Sequence, residues 1–186
     1  MTRIIAGRAG SLTLDVPDAG TRPTSDRVRE SLFGSLESSD LLRAATVLDL
    51  YAGSGALALE ALSRGARSAV LVEKAPKAAA VAQRNSERVL KSLGQQSTVI
   101  VHRQSADFYL RGVPGPFSLV FVDPPYDLPD DELSATLELL VPTLAGDACV
   151  IVERASRSPQ PRWPSGLTAT RDKRYGDTTM WWATTT

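Results

Sequence analysis

The segment Asp123-Pro124-Pro125-Tyr126 contains the groups needed to activate an exocyclic amine of a nucleic-acid base. Two consecutive prolines fix φ near about −65° and remove two backbone donors, so the segment is rigid and offers carbonyl acceptors. The Asp123 carboxylate and the Pro124 carbonyl could accept the two N–H groups of the amine, which would free its lone pair. Tyr126 could stack on a base that has left its helix or loop. We predict Asp123, Pro124, Pro125 and Tyr126 as catalytic residues, against the alternative of a Pro-Pro turn with a capping aspartate.

A second candidate site lies about seventy residues earlier, where Gly53-Ser54-Gly55 follows a short apolar run. Glycines at the end of a first strand let the backbone approach a ligand that a Cβ would exclude. Glu73 lies about twenty residues further on, where a carboxylate accepts hydrogen bonds from ribose hydroxyls. Asp107, after a later strand, is placed to accept from an adenine amino group, and Ala106 and Phe108 could flank the ring. The pattern predicts a site for a nucleoside cofactor.

Two classes of cofactor fit this loop. The pattern Gly53-x-Gly55-x-x-Ala58 satisfies the dinucleotide fingerprint, so a nicotinamide or flavin remains an alternative. Asp49, four residues before the first glycine, suits a ligand with an ammonium group and a sulfonium better than a pyrophosphate. S-adenosylmethionine is such a ligand, and with Asp123 it predicts methyl transfer to an amine. The predicted cofactor-binding residues are Asp49, Tyr51, Ala52, Gly53, Ser54, Gly55, Glu73, Lys74, Ala106 and Asp107.

Length and composition exclude several other kinds of protein. The chain has 186 residues, which suits one substantial domain, and it has no apolar run long enough to span a bilayer. Its single cysteine, Cys149, excludes an internal disulfide, and with one histidine, His102, it argues against a metal centre. The first residues lack the apolar stretch of a secretory signal, so we expect a cytoplasmic protein, and for a chain of this size we expect a monomer. The net charge is zero, although residues 154–174 are basic and residues 123–138 acidic.

Alternating strand and helix patterns occupy most of the chain. Residues 47–50, 68–73, 98–101, 119–122 and 148–153 form apolar runs typical of buried parallel strands, joined by helices over 56–64, 76–93, 106–110 and 132–144. Residues 167–175 and 178–183 predict an antiparallel hairpin at the sheet edge. Residues 3–7 and 12–16 predict a small N-terminal hairpin, followed by a helix for which Thr24 is the expected N-cap. The fold class is therefore α/β and doubly wound, with residues 1–43 as an N-terminal extension of a domain over 44–186.

Five segments of the chain resemble one family. They are Arg22-Pro23-Thr24-Ser25-Asp26-Arg27-Val28-Arg29-Glu30, Leu48-Asp49-Leu50-Tyr51-Ala52-Gly53-Ser54-Gly55, Glu60-Ala61-Leu62-Ser63-Arg64-Gly65-Ala66, Asp123-Pro124-Pro125-Tyr126 and Tyr175-Gly176-Asp177-Thr178. In this order they are similar to the bacterial small-subunit (16S) ribosomal RNA guanine-N2 methyltransferases. Tyr51 stands where phenylalanine is more usual. Asp-Pro-Pro-Tyr is shared with adenine-N6 and cytosine-N4 enzymes, so the arginine-rich first segment narrows the resemblance to guanine.

The resemblance implies a Rossmann-like class I methyltransferase sheet, S-adenosylmethionine as cofactor, and 16S ribosomal RNA or the small ribosomal subunit as partner, without membrane or metal. It implies that Thr24 closes over the methionine end of the cofactor. It also implies that Arg22, Arg27 and Arg29 face cofactor or RNA, and we include Tyr175 among the expected substrate-binding residues. An alternative of another class is a non-catalytic RNA-binding factor of ribosome assembly that retains the fold.

Overall fold

The computed structural model describes residues 1–18, 24–94, 96–112 and 115–186. The elements in chain order are β1 (Thr2–Arg3), β2 (Thr13–Leu14), α1 (Asp26–Ser38), β3 (Thr46–Leu50), α2 (Ala56–Ser63), β4 (Ser68–Val72), α3 (Pro76–Leu93), β5 (Thr98–His102), α4 (Ala106–Arg111), β6 (Phe117–Val122), α5 (Asp130–Leu140), β7 (Leu144–Ala155), β8 (Leu167–Tyr175) and β9 (Thr178–Thr185). Among these residues no helix is both long and apolar enough to cross a membrane.

One sheet of seven strands organises the molecule, in the order β5-β4-β3-β6-β7-β9-β8. The five strands from β5 to β7 are parallel, and β9 pairs antiparallel with both β7 and β8. The chain winds outward from β3 to β5 on one side, then returns to place β6 beside β3. This reversal puts a crevice at the carboxyl ends of β3 and β6, where open α/β sheets bind ligands. The prediction of a doubly wound α/β fold with a C-terminal antiparallel hairpin is confirmed.

Both faces of the sheet are buried, which explains why its strands are continuous apolar runs. Alternate residues enter opposite layers, since side chains point to opposite faces with a period of two. Leu119 and Phe121 pack with helices α1, α2 and α3, whereas Val120 and Val122 pack with α4 and α5. Helices therefore cover both faces of β6 up to its end at Val122, immediately before Asp123.

The N-terminal extension is tied to α2 by a buried carboxylate. Glu60 is fully buried and accepts hydrogen bonds from the backbone N–H groups of Ile5 at 2.7 Å and Ala6 at 3.0 Å. Arg64 donates to the same carboxylate from Nε at 2.8 Å. Ile4 is buried in the same hydrophobic cluster as the α2 side chains. The extension thus contributes to the core beneath the crevice, although β1 and β2 are only two residues each.

Two local predictions are wrong. Ser25, not Thr24, caps α1, because the Ser25 side chain accepts from the Val28 N–H while the Thr24 hydroxyl is used elsewhere. The helix expected over 132–144 ends at Leu140, and a 3₁₀ turn over Val141–Thr143 follows. Pro142 explains this end, because proline has no N–H to donate inside a helix.

The basic and acidic segments partly neutralise each other. Arg154, only 3% exposed, donates to the Leu128 carbonyl at 2.8 Å and to Asp130 at 3.1 Å. Arg162 pairs with Asp131 at the surface. The role of Arg154 is therefore internal, and it braces the chain just beyond the tetrapeptide that follows β6.

Candidate active site

A cavity of about 690 Å³ opens at the carboxyl ends of the central strands, within the usual size range of small-molecule sites. Its wall combines the glycine loop after β3, the chain after β4, the start of α4 and the tetrapeptide after β6. Of the predicted cofactor and catalytic residues, the wall includes Thr24, Asp49, Tyr51, Ala52, Gly53, Ser54, Glu73, Lys74, Ala106, Asp107, Asp123, Pro124, Pro125 and Tyr126. The two sites predicted separately from the sequence therefore form one.

The glycine loop is held in place by Glu73. The N–H of Gly53 donates to Glu73 Oε2 at 2.9 Å, and the N–H of Ala75 donates to Oε1 at 2.8 Å. Gly53 has a φ of 56°, and a Cβ built there would meet no heavy atom within 4 Å. The loop therefore exposes open backbone to the cavity. Each Glu73 oxygen keeps acceptor capacity, because a carboxylate has about four lone-pair positions.

The sequence predicts that Gly55 approaches a ligand closely, whereas the structure places Gly55 at the start of α2, packed against Leu71. It is absent from the cavity wall, and it has a φ of 81° at the start of α2. A Cβ at this position would lie 2.5 Å from Leu71 Cδ2. Packing of α2 on β4 and the left-handed backbone thus require glycine here.

Asp49 lines the cavity from the carboxyl-terminal part of β3. Its side chain is buried, and Oδ2 accepts a hydrogen bond from the Ala58 N–H at 3.2 Å. Burial, with a smaller contribution from the Glu73 charge, raises the pKa of Asp49 to about 7. A bound cation would favour the ionised carboxylate, so this position suits a positively charged ligand.

We expect Asp49 to make folding stability depend on pH. Its raised pKa means that the protonated, stabilising form is complete below about pH 4 and is lost as the pH rises through about 7. Asp49→Asn keeps an oxygen for the Ala58 N–H and removes the titration. The loss of unfolding free energy between about pH 5 and about pH 8 should be smaller in this variant by roughly 2 to 3 kcal/mol. Urea unfolding of both proteins at the two pH values measures it, and equal losses would contradict the prediction.

The opposite wall of the cavity is formed by α4 and α5. Ser105 caps α4 by accepting from the Phe108 N–H, which fixes the orientation of the neighbouring Ala106 and Asp107. Thr136 on α5 donates to Asp107 Oδ1 at 2.7 Å. Asp107 retains a second oxygen, and it lines the cavity.

The tetrapeptide places a carboxylate and an aromatic ring at the cavity mouth. Asp123 is half-buried, and burial together with the charges of Glu153 and Asp49 raises its pKa well above the usual range. Pro124 is buried, so the backbone beside Asp123 is fixed. Tyr126 is 44% exposed, and its hydroxyl lies 3.3 Å from Thr178 Oγ1. The ring is therefore accessible to a planar partner while its far end is anchored on β9.

Sequence reasoning missed Glu153, which lines the cavity at the end of β7. It is 6% exposed and accepts a hydrogen bond from Thr24 Oγ1 at 3.1 Å. The sequence contained a usable pattern, since an acidic residue ends the apolar run after the tetrapeptide strand. Asn85 was missed too: it is buried in α3 and donates to the Ser54 carbonyl at 2.9 Å, which steadies the glycine loop.

Of the four expected substrate-binding residues, three lie in the described part of the chain, each in a different environment. Arg22 lies outside the described residues, and Arg27 is exposed on α1. Arg29 borders the cavity but is 1% exposed, and its Nη2 donates to Asp26 at 2.7 Å and to the Arg3 carbonyl at 2.9 Å. The Tyr175 hydroxyl lies 2.9 Å from Ser31 Oγ, so it joins β8 to α1, away from the cavity wall.

Comparisons with known proteins show a matching family model, similar relatives and similar solved structures. The family model described as conserved hypothetical protein 95 matches residues 2–184. Ribosomal RNA small subunit methyltransferase D of Escherichia coli (strain K12) is 37% identical over 179 residues, covering 94% of this chain and 85% of the relative. The structure of the Escherichia coli protein yhhF has a TM-score of 0.80 at 35% identity and covers 99% of this chain and 97% of that chain. Magnesium protoporphyrin IX methyltransferase of Synechocystis, solved with bound SAM, shares the fold, with a TM-score of 0.64 at 18% identity over 90% of this chain and 87% of that chain.

Proposed function

Because the chain belongs to the conserved hypothetical protein 95 family, together with ribosomal RNA small subunit methyltransferase D, we propose that it methylates the N2 amine of a guanine in 16S ribosomal RNA with S-adenosylmethionine as the methyl donor. The observation that carries the proposal is the union of the glycine loop and the Asp123 tetrapeptide in one cavity. A non-catalytic RNA-binding protein would have no use for both. The proposal includes residues 1–43 as an extension that supports a methyltransferase domain over 44–186, acting as a monomer.

The charge of the cavity supports this cofactor over a dinucleotide. Among the described residues, its wall contains two basic side chains, Arg29 and Lys74, and seven carboxyl groups: Asp49, Glu73, Asp107, Asp123, Asp127, Glu132 and Glu153. Such a wall favours a ligand with a sulfonium and an ammonium group and opposes a pyrophosphate. Open backbone at Gly53 leaves room beside the loop.

In the proposed complex, each part of the wall holds one part of the cofactor. Glu73 accepts from the ribose hydroxyls, Asp107 from the adenine amine, and Asp49 faces the cationic methionine end, which Thr24 covers. Tyr51, Ala52, Lys74 and Ala106 complete the wall. When bound, S-adenosylmethionine supplies a methyl group on a positively charged sulfonium, for a single in-line displacement without a covalent enzyme intermediate.

The protein's own contribution is to prepare the amine. The lone pair of the amine nitrogen is delocalised into the base, so this nitrogen is a poor nucleophile. The Asp123 carboxylate accepts one N–H and the Pro124 carbonyl the other, which draws the nitrogen toward tetrahedral geometry. A positive charge beside Asp123 favours its ionised form, which is the acceptor. After transfer the methylated nitrogen is positively charged and still carries both of its protons. Asp123 is placed to accept one of them, which leaves a neutral amine.

Tyr126 holds the base during this step. Its exposed ring offers a stacking surface worth about 1–3 kcal/mol, comparable with the cost of unstacking a base. Pro125 keeps the ring next to the carboxylate because its φ is fixed. We propose exposed Arg27, with Arg22, as contacts to the RNA backbone, since such contacts position the nucleic acid without choosing the base.

The direct test is transfer of label from tritiated S-adenosylmethionine to small-subunit RNA or particles, followed by mass spectrometry of the nucleosides. We expect labelled N2-methylguanosine at a single site. Label in N6-methyladenosine would overturn the choice of base and keep the mechanism. No label in any nucleic acid, despite bound cofactor, would favour a binding factor, and binding of a nicotinamide in place of S-adenosylmethionine would overturn the cofactor.

A further inference from the structure

Glu153 and Asp123 occupy equivalent positions on neighbouring strands. β6 and β7 are parallel with Val122 opposite Val152, so Asp123 and Glu153 follow side by side at the carboxyl edge. Residues two apart face the same side of a sheet, and Phe121 and Ile151 belong to the same buried cluster. Both carboxylates therefore leave the sheet on one face, and both line the cavity. Neighbouring strands are about 4.8 Å apart, close enough for two carboxylates to meet adjacent atoms of one base.

Within the part of the chain that the structure describes, Glu153 has unused acceptor capacity and forms no ion pair with a cation. The hydroxyls of Thr24 and Thr178 both donate to its carboxylate. Among the ion pairs of the described residues, none includes Glu153. Burial raises the pKa of Glu153, against the two hydroxyl donors, which lower it. A buried carboxylate without a counter-charge costs stability, and such groups concentrate at functional sites.

We propose that Glu153 selects guanine by accepting a hydrogen bond from the ring N1–H while Asp123 accepts one from the neighbouring N2 amine. Thr24 and Thr178 orient the Glu153 carboxylate for this contact. The proposal rests on the proposed function, since it assigns a base-reading group to the same site. It answers a question that the Asp-Pro-Pro-Tyr segment leaves open, because that segment recognises an amine and not a particular base.

The chemistry of the three amino bases explains why a second carboxylate favours guanine. On the Watson–Crick edge, the ring nitrogen next to the amine is a donor in guanine and an acceptor in adenine and cytosine. An acceptor on the protein at this position pairs with guanine and faces an acceptor in the other two. A site built to receive a hydrogen bond rejects an analogue that cannot make it, because a buried polar group is then left unpaired.

The experiment uses an RNA substrate in which the target guanine is replaced by 2-aminopurine. This base keeps the 2-amine but lacks both the proton on N1 and the oxygen on C6, and only the N1 proton is the proposed partner of Glu153. The quantity measured is the ratio of kcat/KM for guanine to kcat/KM for 2-aminopurine, in the wild-type protein and in Glu153→Gln. Because both proteins meet the same two bases, the intrinsic difference between the amines cancels.

We expect the wild-type protein to prefer guanine and the ratio to fall by about tenfold to a hundredfold in Glu153→Gln. The glutamine amide can donate to the unprotonated N1, so activity on 2-aminopurine should rise relative to guanine. The matched control is Glu138→Gln, the same substitution at an exposed glutamate that does not line the cavity. This control should leave both cofactor binding and the ratio between bases unchanged.

An equal ratio in the wild-type protein and Glu153→Gln would overturn the role of Glu153, as would a wild-type protein without preference for guanine. If Glu153→Gln failed to bind cofactor, Glu153→Met would take its place in the same comparison. Absence of transfer to guanine by the wild-type protein would instead contradict the proposed function. The two failures are therefore distinguishable.

Discussion

Replacing Asp123 with alanine is expected to lower kcat for methyl transfer by about a hundredfold to a thousandfold while cofactor affinity survives. Asp123 accepts an amine N–H in the proposed complex, and that contact strengthens as the nitrogen becomes tetrahedral. Its removal therefore acts on the transition state. Folding stability should not fall, because desolvation and the charges of Glu153 and Asp49 disfavour the ionised Asp123 in the folded protein and raise its pKa. Single-turnover transfer of labelled methyl groups and calorimetry of cofactor binding measure the two effects separately.

Two other variants make the test specific. Asp147→Ala removes an exposed aspartate that does not line the cavity, and it should leave both measurements unchanged. Glu73→Ala should give the reverse pattern, with weakened cofactor binding, because Glu73 holds the Gly53 N–H and borders the cavity. Unchanged turnover in Asp123→Ala would show that the tetrapeptide does not activate the amine.

Glu60→Ala is expected to reduce the free energy of unfolding by about 3–5 kcal/mol. The Glu60 carboxylate is fully buried and serves two backbone N–H groups of the N-terminal extension as well as the Arg64 guanidinium. Its loss leaves these donors buried without an acceptor. Equilibrium unfolding in urea measures the change, and hydrogen exchange should show faster exchange at Ile5 and Ala6.

Glu37 offers a control that shares a partner with Glu60. Its carboxylate also pairs with Arg64, at 3.2 Å, but its side chain is 51% exposed. Solvent weakens exposed ion pairs, so Glu37→Ala should cost no more than about 1 kcal/mol. Similar costs for the two variants would mean that Glu60 contributes through its ion pair alone, and not through its backbone contacts.

The fold could be predicted from the sequence because its elements are marked by local patterns. α3 begins at Pro76 and ends at Leu93 as expected, since proline suits the first turn and Gly94 follows the last. The glycine loop and Asp-Pro-Pro-Tyr each follow an apolar run. The carboxyl ends of parallel strands meet at one edge of a sheet, so both segments lie at that edge, where they form one cavity.

The roles of isolated charged residues could not be predicted in this way. Arg29 has the sequence context of a helix-surface arginine, and its contact with Asp26 is local, but its contacts with Thr2 and Arg3 form only when the chain folds. Glu153 depends on β6 and β7 being neighbours, and strand order is not encoded locally. Propensity and spacing describe segments, whereas these two side chains act through contacts between segments.

The position of β9 between β7 and β8 has a consequence for how the protein is made. During synthesis β8 is made before β9. Because β8 pairs with β9 in the sheet, β8 cannot join the sheet until β9 has been made. Until then β7 presents an unpaired edge, which is a site for wrong association. Thr178, whose hydroxyl faces both Tyr126 and Glu153, arrives with this late strand. All described residues that line the cavity therefore precede β8 in the chain, but Tyr126 and Glu153 gain their contact with Thr178 only when this last strand has been made.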